Sequence, residues 1–171
     1  MTENYIEENI FLPYSLSKNF FIITEDEEVS FQSFFRLANR FANLICELGI
    51  KPNDRILVQV EKSISALALY VATIRAGCVF VPLNTSYTYG ELEYFISNSK
   101  PSLFIFDQSS EENLKSLLLE SELYYLTLNQ NQTGSLTDLS KGKSDQFEPI
   151  SRKKSDLASI LYTSGTTGRS K

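Results

Sequence analysis

The segment Tyr162-Thr163-Ser164-Gly165-Thr166-Thr167-Gly168-Arg169-Ser170-Lys171 crowds hydroxyl side chains and two glycines together and closes on a lysine. Glycine lets a backbone turn tightly and approach a ligand, so that amide N–H groups can point at anionic oxygens. Serine and threonine hydroxyls add donors, and a lysine ammonium adds a compact positive charge. The chemistry such a run can do is to grip a triphosphate or pyrophosphate. An apolar run at 158–162 leads straight into it and predicts a strand that delivers the loop. The plain alternative, a polar surface loop, is the better reading of a random Gly/Ser/Thr patch. It is outweighed here by the order of strand, hydroxyl-Gly-hydroxyl-hydroxyl-Gly and lysine. Two familiar phosphate loops fail. In G-x-x-x-x-G-K-[ST] the lysine follows a glycine, which Lys171 does not. The dinucleotide loop G-x-G-x-x-G needs a third glycine.

The elements that must position this loop alternate between strand and helix, which predicts an α/β fold: a mostly parallel sheet with helices on both faces. Residues 31–48 give the clearest helix. Phe31, Phe34, Phe35, Ala38, Phe41, Ala42, Ile45 and Leu48 recur at spacings of three and four, with Ser30 as cap and Gly49 as stop. That phenylalanine stripe reads as core packing, not as a cofactor box. Residues 56–60 read as a buried strand. Ser63 caps a second helix carrying Ile64, Leu67, Val71 and Ile74, and Gly77 ends it. Residues 79–81 form the next strand, stopped by Pro82. Thr88-x-x-Glu91 is a capping box for a third helix facing inward through Leu92, Phe95 and Ile96, broken by Pro101. Residues 103–106 are another strand. Ser109-x-x-Glu112 repeats the box before Leu114, Leu117 and Leu118, and residues 123–126 give a further strand. Residues 129–155 read as polar connection with one short helix at Leu136 and Leu139. No internal repeat and no second domain boundary is visible, so the chain divides into a core at 29–128, a connection at 129–155, and a strand with its loop at 158–171.

Composition excludes several functions. The chain has 171 residues, is 42% hydrophobic and 22% charged, and carries a net charge of −5. It offers no basic surface for nucleic acid and no basic amphipathic stretch for a membrane. Neither a signal core nor an Arg-rich leader opens the sequence, and no apolar run reaches transmembrane length, so the expected location is cytoplasmic. With no histidine, Ser-His-Asp hydrolysis, most zinc sites and His-assisted thiol chemistry are excluded. Cys46 and Cys78 are expected to be free, buried thiols. The basic run Arg152-Lys153-Lys154 could attract an anionic nucleotide, but reads better as a solvated turn.

The loop at 162–171 resembles the signature phosphate-binding loop of the adenylate-forming superfamily: acyl-CoA synthetases, luciferases and peptide-synthetase adenylation domains. Val29-Ser30-Phe31 resembles the family's first recurring motif. Ile74-Arg75-Ala76-Gly77-Cys78-Val79-Phe80-Val81-Pro82-Leu83 resembles its second. Within the family, Pro82-Leu83-Asn84-Thr85-Ser86-Tyr87-Thr88, Glu91-Leu92-Glu93-Tyr94-Phe95-Ile96 and Arg169-Ser170-Lys171 look like malonyl-CoA and methylmalonyl-CoA synthetases.

The resemblance implies an ATP-dependent acid–thiol ligase and the first part of its large N-terminal AMP-binding domain. It implies that Thr163, Ser164, Thr166 and Thr167 bind the β- and γ-phosphates, that Gly165 and Gly168 supply backbone freedom, and that Lys171 is catalytic, offsetting charge on the departing pyrophosphate. Arg169 and Ser170 depart from the commoner proline-containing form and are read as loop exterior. Tyr162 is expected to pack at the strand end, and Glu61, Lys62 and Arg75 receive no catalytic role. The co-substrates implied are ATP, coenzyme A and a carboxylic or dicarboxylic acid. The Mg2+ ligands, adenine pocket and acyl-selecting residues are expected downstream. The 171 residues alone are therefore expected to be an inactive, aggregation-prone front portion of a longer ligase. Two other readings stay open: a non-catalytic nucleotide-binding module, and an adenylation domain that loads a carrier protein.

Overall fold

The computed structural model describes residues 4–163. Buried apolar runs at 56–58 and 103–106 set the architecture, because a strand apolar on both faces must be covered on both. The parallel sheet runs β4 (Val79–Pro82), β3 (Arg55–Gln59), β5 (Leu103–Phe106), β6 (Tyr125–Thr127). Ile56 stands opposite Phe80 on one side and Leu103 on the other, and Ile105 stands opposite Leu126. Ahead of the sheet lies a small antiparallel hairpin, β1 (Phe20–Ile23) and β2 (Glu28–Ser30).

Strand alternation sorts the core into two layers. Ile56, Val58, Leu103, Ile105 and Leu126 face α1 (Phe31–Glu47) and α2 (Ile64–Arg75). Leu57, Val79, Val81, Phe104 and Phe106 face α3 (Tyr89–Ser99) and α4 (Glu111–Ser121). The expected sheet with helices on both faces is what the chain forms. The α1 stripe packs as its periodicity dictates: Phe34, Phe35, Ala38, Phe41, Ala42 and Ile45 are buried. Ser30 and Ser63 cap α1 and α2 by accepting from the amides of Ser33 and Ala66. The Thr88–Glu91 box forms at α3, where hydrogen bonds from Thr88 hold the Glu91 carboxyl below its usual range.

Three expectations are corrected. Ser109 does not cap α4. It sits inside a short 3-10 turn, Gln108–Ser110, and donates to the Asp107 carboxylate, which also accepts from its amide. Aspartate takes the cap because it accepts both bonds at once. Leu67 does not face the core. It is 41% exposed and lines an open groove with Ile22, Tyr70 and Phe80. Cys46 is exposed, since it lies one position beyond the buried Ile45 and so about 100° around the helix from the stripe. Cys78 is buried as expected, and burial pushes its thiol up to about 12. The short helix expected at Leu136 and Leu139 forms as α5 (Ser135–Ser140), with Leu136 buried and Leu139 exposed.

Residues 129–155 are more than surface connection. Asn39 Nδ2 donates to Asp145 O, and Asn43 Nδ2 donates to Ser144 O and Gln146 O. Lys143 pairs with Glu47. The turn into α5 needs Gly134, which sits at φ +130° with its missing Cβ directed 2.4 Å from Thr127 O. We expect Gly134→Ala to cost about 1–3 kcal/mol for the backbone strain alone. Chemical denaturation would read this as a lower midpoint at unchanged slope.

Candidate functional site

The outer edge of β4 carries the chain toward the candidate loop. Phe80 N donates to Ala158 O and Ile160 N donates to Phe80 O, both at 3.0 Å, making one parallel bridge between Phe80 and Ser159. The strand expected at 158–162 is thus a single bridge. The next ladder bond would need an N–H from Pro82, which has none, and Leu161 beyond it is 66% exposed.

Being parallel to β4, the segment arrives at the carboxyl end of the sheet. There Tyr162 is anchored. Its hydroxyl donates to Asn98 Oδ1 at 2.6 Å, and its ring lies 4.5 Å from that of Phe95. Burial pushes its phenol up. Tyr162 packs as expected, and sequence reasoning did not single out Asn98, which accepts its hydroxyl.

The same end of the sheet is built from polar loops. Buried Gln59, at the end of β3, donates to Asn84 O at 2.9 Å and fixes the loop after β4. Thr85 Oγ1 donates to Glu61 Oε1 at 2.8 Å, and Asn84 Oδ1 accepts from Ser86 N and Oγ. Asp107 follows β5, its carboxyl lowered first by the Ser109 hydroxyl. The crossover through α2 lies on one face of the sheet and that through α3 on the other. Strand order therefore reverses between β3 and β5, and in open α/β sheets such a reversal opens a ligand crevice at the strands' carboxyl ends.

Of the residues singled out for phosphate binding, Thr163 stands exposed just past Tyr162. Ser164, Gly165, Thr166, Thr167, Gly168 and Lys171 lie outside the described residues. The basic run is held by internal contacts: Arg152 pairs with Asp156, the Asp156 carboxylate accepts from Lys153 N, and Lys154 Nζ lies 5.0 Å from the Tyr5 ring centroid. Among the described residues no group of three or more carboxylates and thiols could hold a metal ion. No helix there is long and apolar enough to cross a membrane.

Residues 15–171 match the family model described as AMP-binding enzyme. The chain belongs to that family. It is 40% identical, over all of its length, to ATP-bound MatB from Rhodopseudomonas palustris, with a TM-score of 0.92. It covers 34% of that chain. Tyrocidine synthase 1 from Brevibacillus parabrevis is 28% identical over 88% of this chain, which spans 13% of it. The uncharacterized acyl--CoA ligase YtcI from Bacillus subtilis (strain 168) is 26% identical over 86% of this chain, which spans 28% of it. The chain thus corresponds to about a third or less of these relatives. The AMP-binding fold accounts for the motifs at 29–31 and 74–83: one opens α1, the other joins the end of α2 to β4.

Proposed function

We propose that this chain is the front portion of an ATP-dependent ligase that adenylates a small dicarboxylic acid, malonate or methylmalonate, and passes it to coenzyme A. One observation carries the reading: 40% identity along the whole chain with a protein crystallised with ATP. The likeness of residues 82–96 to malonyl-CoA and methylmalonyl-CoA synthetases adds the acid class.

In this reaction a carboxylate oxygen attacks the α-phosphorus of ATP and the bond to the bridging oxygen breaks, giving acyl-adenylate and pyrophosphate. The thiol of coenzyme A then attacks the acyl carbon and AMP leaves. Joining two anions demands charge neutralisation and alignment. Thr163, Ser164, Thr166 and Thr167 donate to the β- and γ-phosphates, Gly165 and Gly168 let the backbone close around them, and Lys171 offsets the charge on the leaving pyrophosphate. Tyr162, tied to Asn98 and Phe95, fixes the start of the loop. Mg2+, the metal the family implies, would shield the phosphates when bound; the described residues supply no ligand set for it.

A second reading, loading of a carrier-protein thiol, is favoured by the identity with tyrocidine synthase 1. A substrate panel on the complete ligase tests both. Pyrophosphate release with malonate or methylmalonate and a thioester formed on free coenzyme A are expected. Transfer only to a phosphopantetheinylated carrier would select the second reading. The 171-residue chain should show no acid-dependent AMP release, and steady turnover by it would overturn the assignment of the remaining machinery to downstream sequence.

A further inference from the structure

The N-terminal segment makes contacts that the nucleotide site does not explain. Asn4 and Glu7 are both buried, although this segment is otherwise largely exposed. Asn4 Nδ2 donates to Ile150 O at 3.1 Å and to Ile74 O at 3.4 Å, while its Oδ1 accepts from Glu7 N at 3.2 Å. Asn4 also bridges in parallel to Arg152. Glu7 pairs with Arg75 at the end of α2. Arg75 Nη2 donates to Phe147 O at 3.1 Å, and its own carbonyl accepts from Ile150 N at 2.8 Å.

Residues 147–152 are therefore held between the end of α2 and the N-terminal segment. Gly77 completes the grip: it sits at φ +72°, and a Cβ there would meet Ile150 at 3.0 Å. A few residues on, the chain makes its one bridge to β4 and then reaches Thr163. A single bridge cannot fix register by itself, because its two hydrogen bonds are net worth little against the entropy of the chain.

We propose that Asn4 and Glu7 are positioning residues for the phosphate loop. Acting through Arg75 and Ile150, they set the register of Ser159 on Phe80 and so place Tyr162 and Thr163. This rests on the ligase reading only for the identity of what the loop binds.

Hydrogen exchange on the 171-residue chain tests it, with Asn4→Ala, Glu7→Gln and the neighbouring exposed control Glu8→Gln. The amides of Phe80 and Ile160 should exchange at least about tenfold faster in the first two variants and unchanged in the control. The amides of Leu57 and Phe104, in the sheet centre, should keep their protection in Asn4→Ala, and in Glu7→Gln, which also strands the Arg75 charge, should lose less than Phe80 and Ile160 do. Unchanged exchange at Phe80 and Ile160 would overturn the proposal. So would equal loss across the sheet, which marks a general loss of stability. A second arm measures MgATP affinity of the complete ligase, expected to weaken about tenfold in Asn4→Ala. Wild-type affinity in that variant, with faster exchange, would end the link to the nucleotide. A complete wild-type ligase that binds no MgATP would instead sink the ligase reading, and the exchange arm would still decide the positioning role of Asn4 and Glu7.

Discussion

Lys171→Ala in the complete ligase should lower acid-dependent pyrophosphate release by about 100- to 1,000-fold, the range found when one preorganised charge-stabilising donor is removed from a transition state. The argument turns on where charge moves. Attack at the α-phosphorus shifts electron density onto the departing pyrophosphate, so a cation beside it gains more in the transition state than in the bound ground state. Such a loss appears in kcat and in kcat/KM together. Thr166→Ala makes a useful contrast. A hydroxyl on a phosphate that is already charged before reaction binds both states alike, so its removal should raise KM for ATP about tenfold and leave kcat nearly alone. Lys171→Arg should recover only part of the rate, since a planar guanidinium does not replace a compact ammonium. Steady-state kinetics with ATP varied at saturating acid separates these outcomes. A Lys171→Ala enzyme within threefold of wild type would remove Lys171 from the reaction.

The layers of the fold were legible because they follow from period. The 3.6-residue recurrence of Phe34, Phe35, Ala38, Phe41 and Ile45 demands a helix with one buried face. The unbroken apolar runs at 56–58 and 103–106 likewise demand cover on both faces. What escaped was everything set by side chains reaching main chain far away. Asn39 and Asn43 read as ordinary surface positions of α1, yet they hold residues 144–146. Two asparagines at i,i+4 in a helix interior, where propensity disfavours them, were the available signal. The β1–β2 hairpin has no alternation to read, since Phe20, Phe21 and Ile23 are all exposed. The loop's residue types were plain in the sequence. Its setting was not: a single bridge, a missing Pro82 N–H and the Tyr162–Asn98 bond depend on which strand lies alongside. Arg75 shows the same limit. It reads as a helix-ending cation with no catalytic role, and the sequence does not show that it is buried and joins three separate segments.

That burial makes Arg75 a sensitive structural position. The Arg75 and Glu7 side chains are 6% and 4% exposed, so solvent screens their pairing little. Desolvation is the leading influence on both: it pushes the Glu7 carboxyl up and the Arg75 guanidinium down, against the attraction between them. Glu7 Oε2 and Arg75 Nε have no hydrogen-bond partner. A pair of this kind contributes little net stability, but removing one member strands the other's charge, at about 3–5 kcal/mol. Arg75→Ala should therefore lower the melting temperature by roughly 10 °C, at about 2–4 °C per kcal/mol for a chain of this size. The double variant Glu7→Leu/Arg75→Leu should recover most of that, short of about 1 kcal/mol for the Phe147 carbonyl left without its donor. The pH dependence has a definite sign. A carboxyl whose folded-state pKa is raised binds its proton more tightly folded than unfolded. Its destabilising effect is thus complete above the folded pKa and fades as pH falls toward the ordinary carboxylate value. Without Arg75 the upward push is unopposed, so the deficit of Arg75→Ala should shrink markedly between pH 7 and pH 5. Glu8 and Glu148 line the same groove. Melting temperatures of wild type, Arg75→Ala and the double variant across that range provide the measurement. A deficit that stays constant with pH, or a double variant no more stable than Arg75→Ala, would show that the stranded Glu7 charge is not what destabilises the chain.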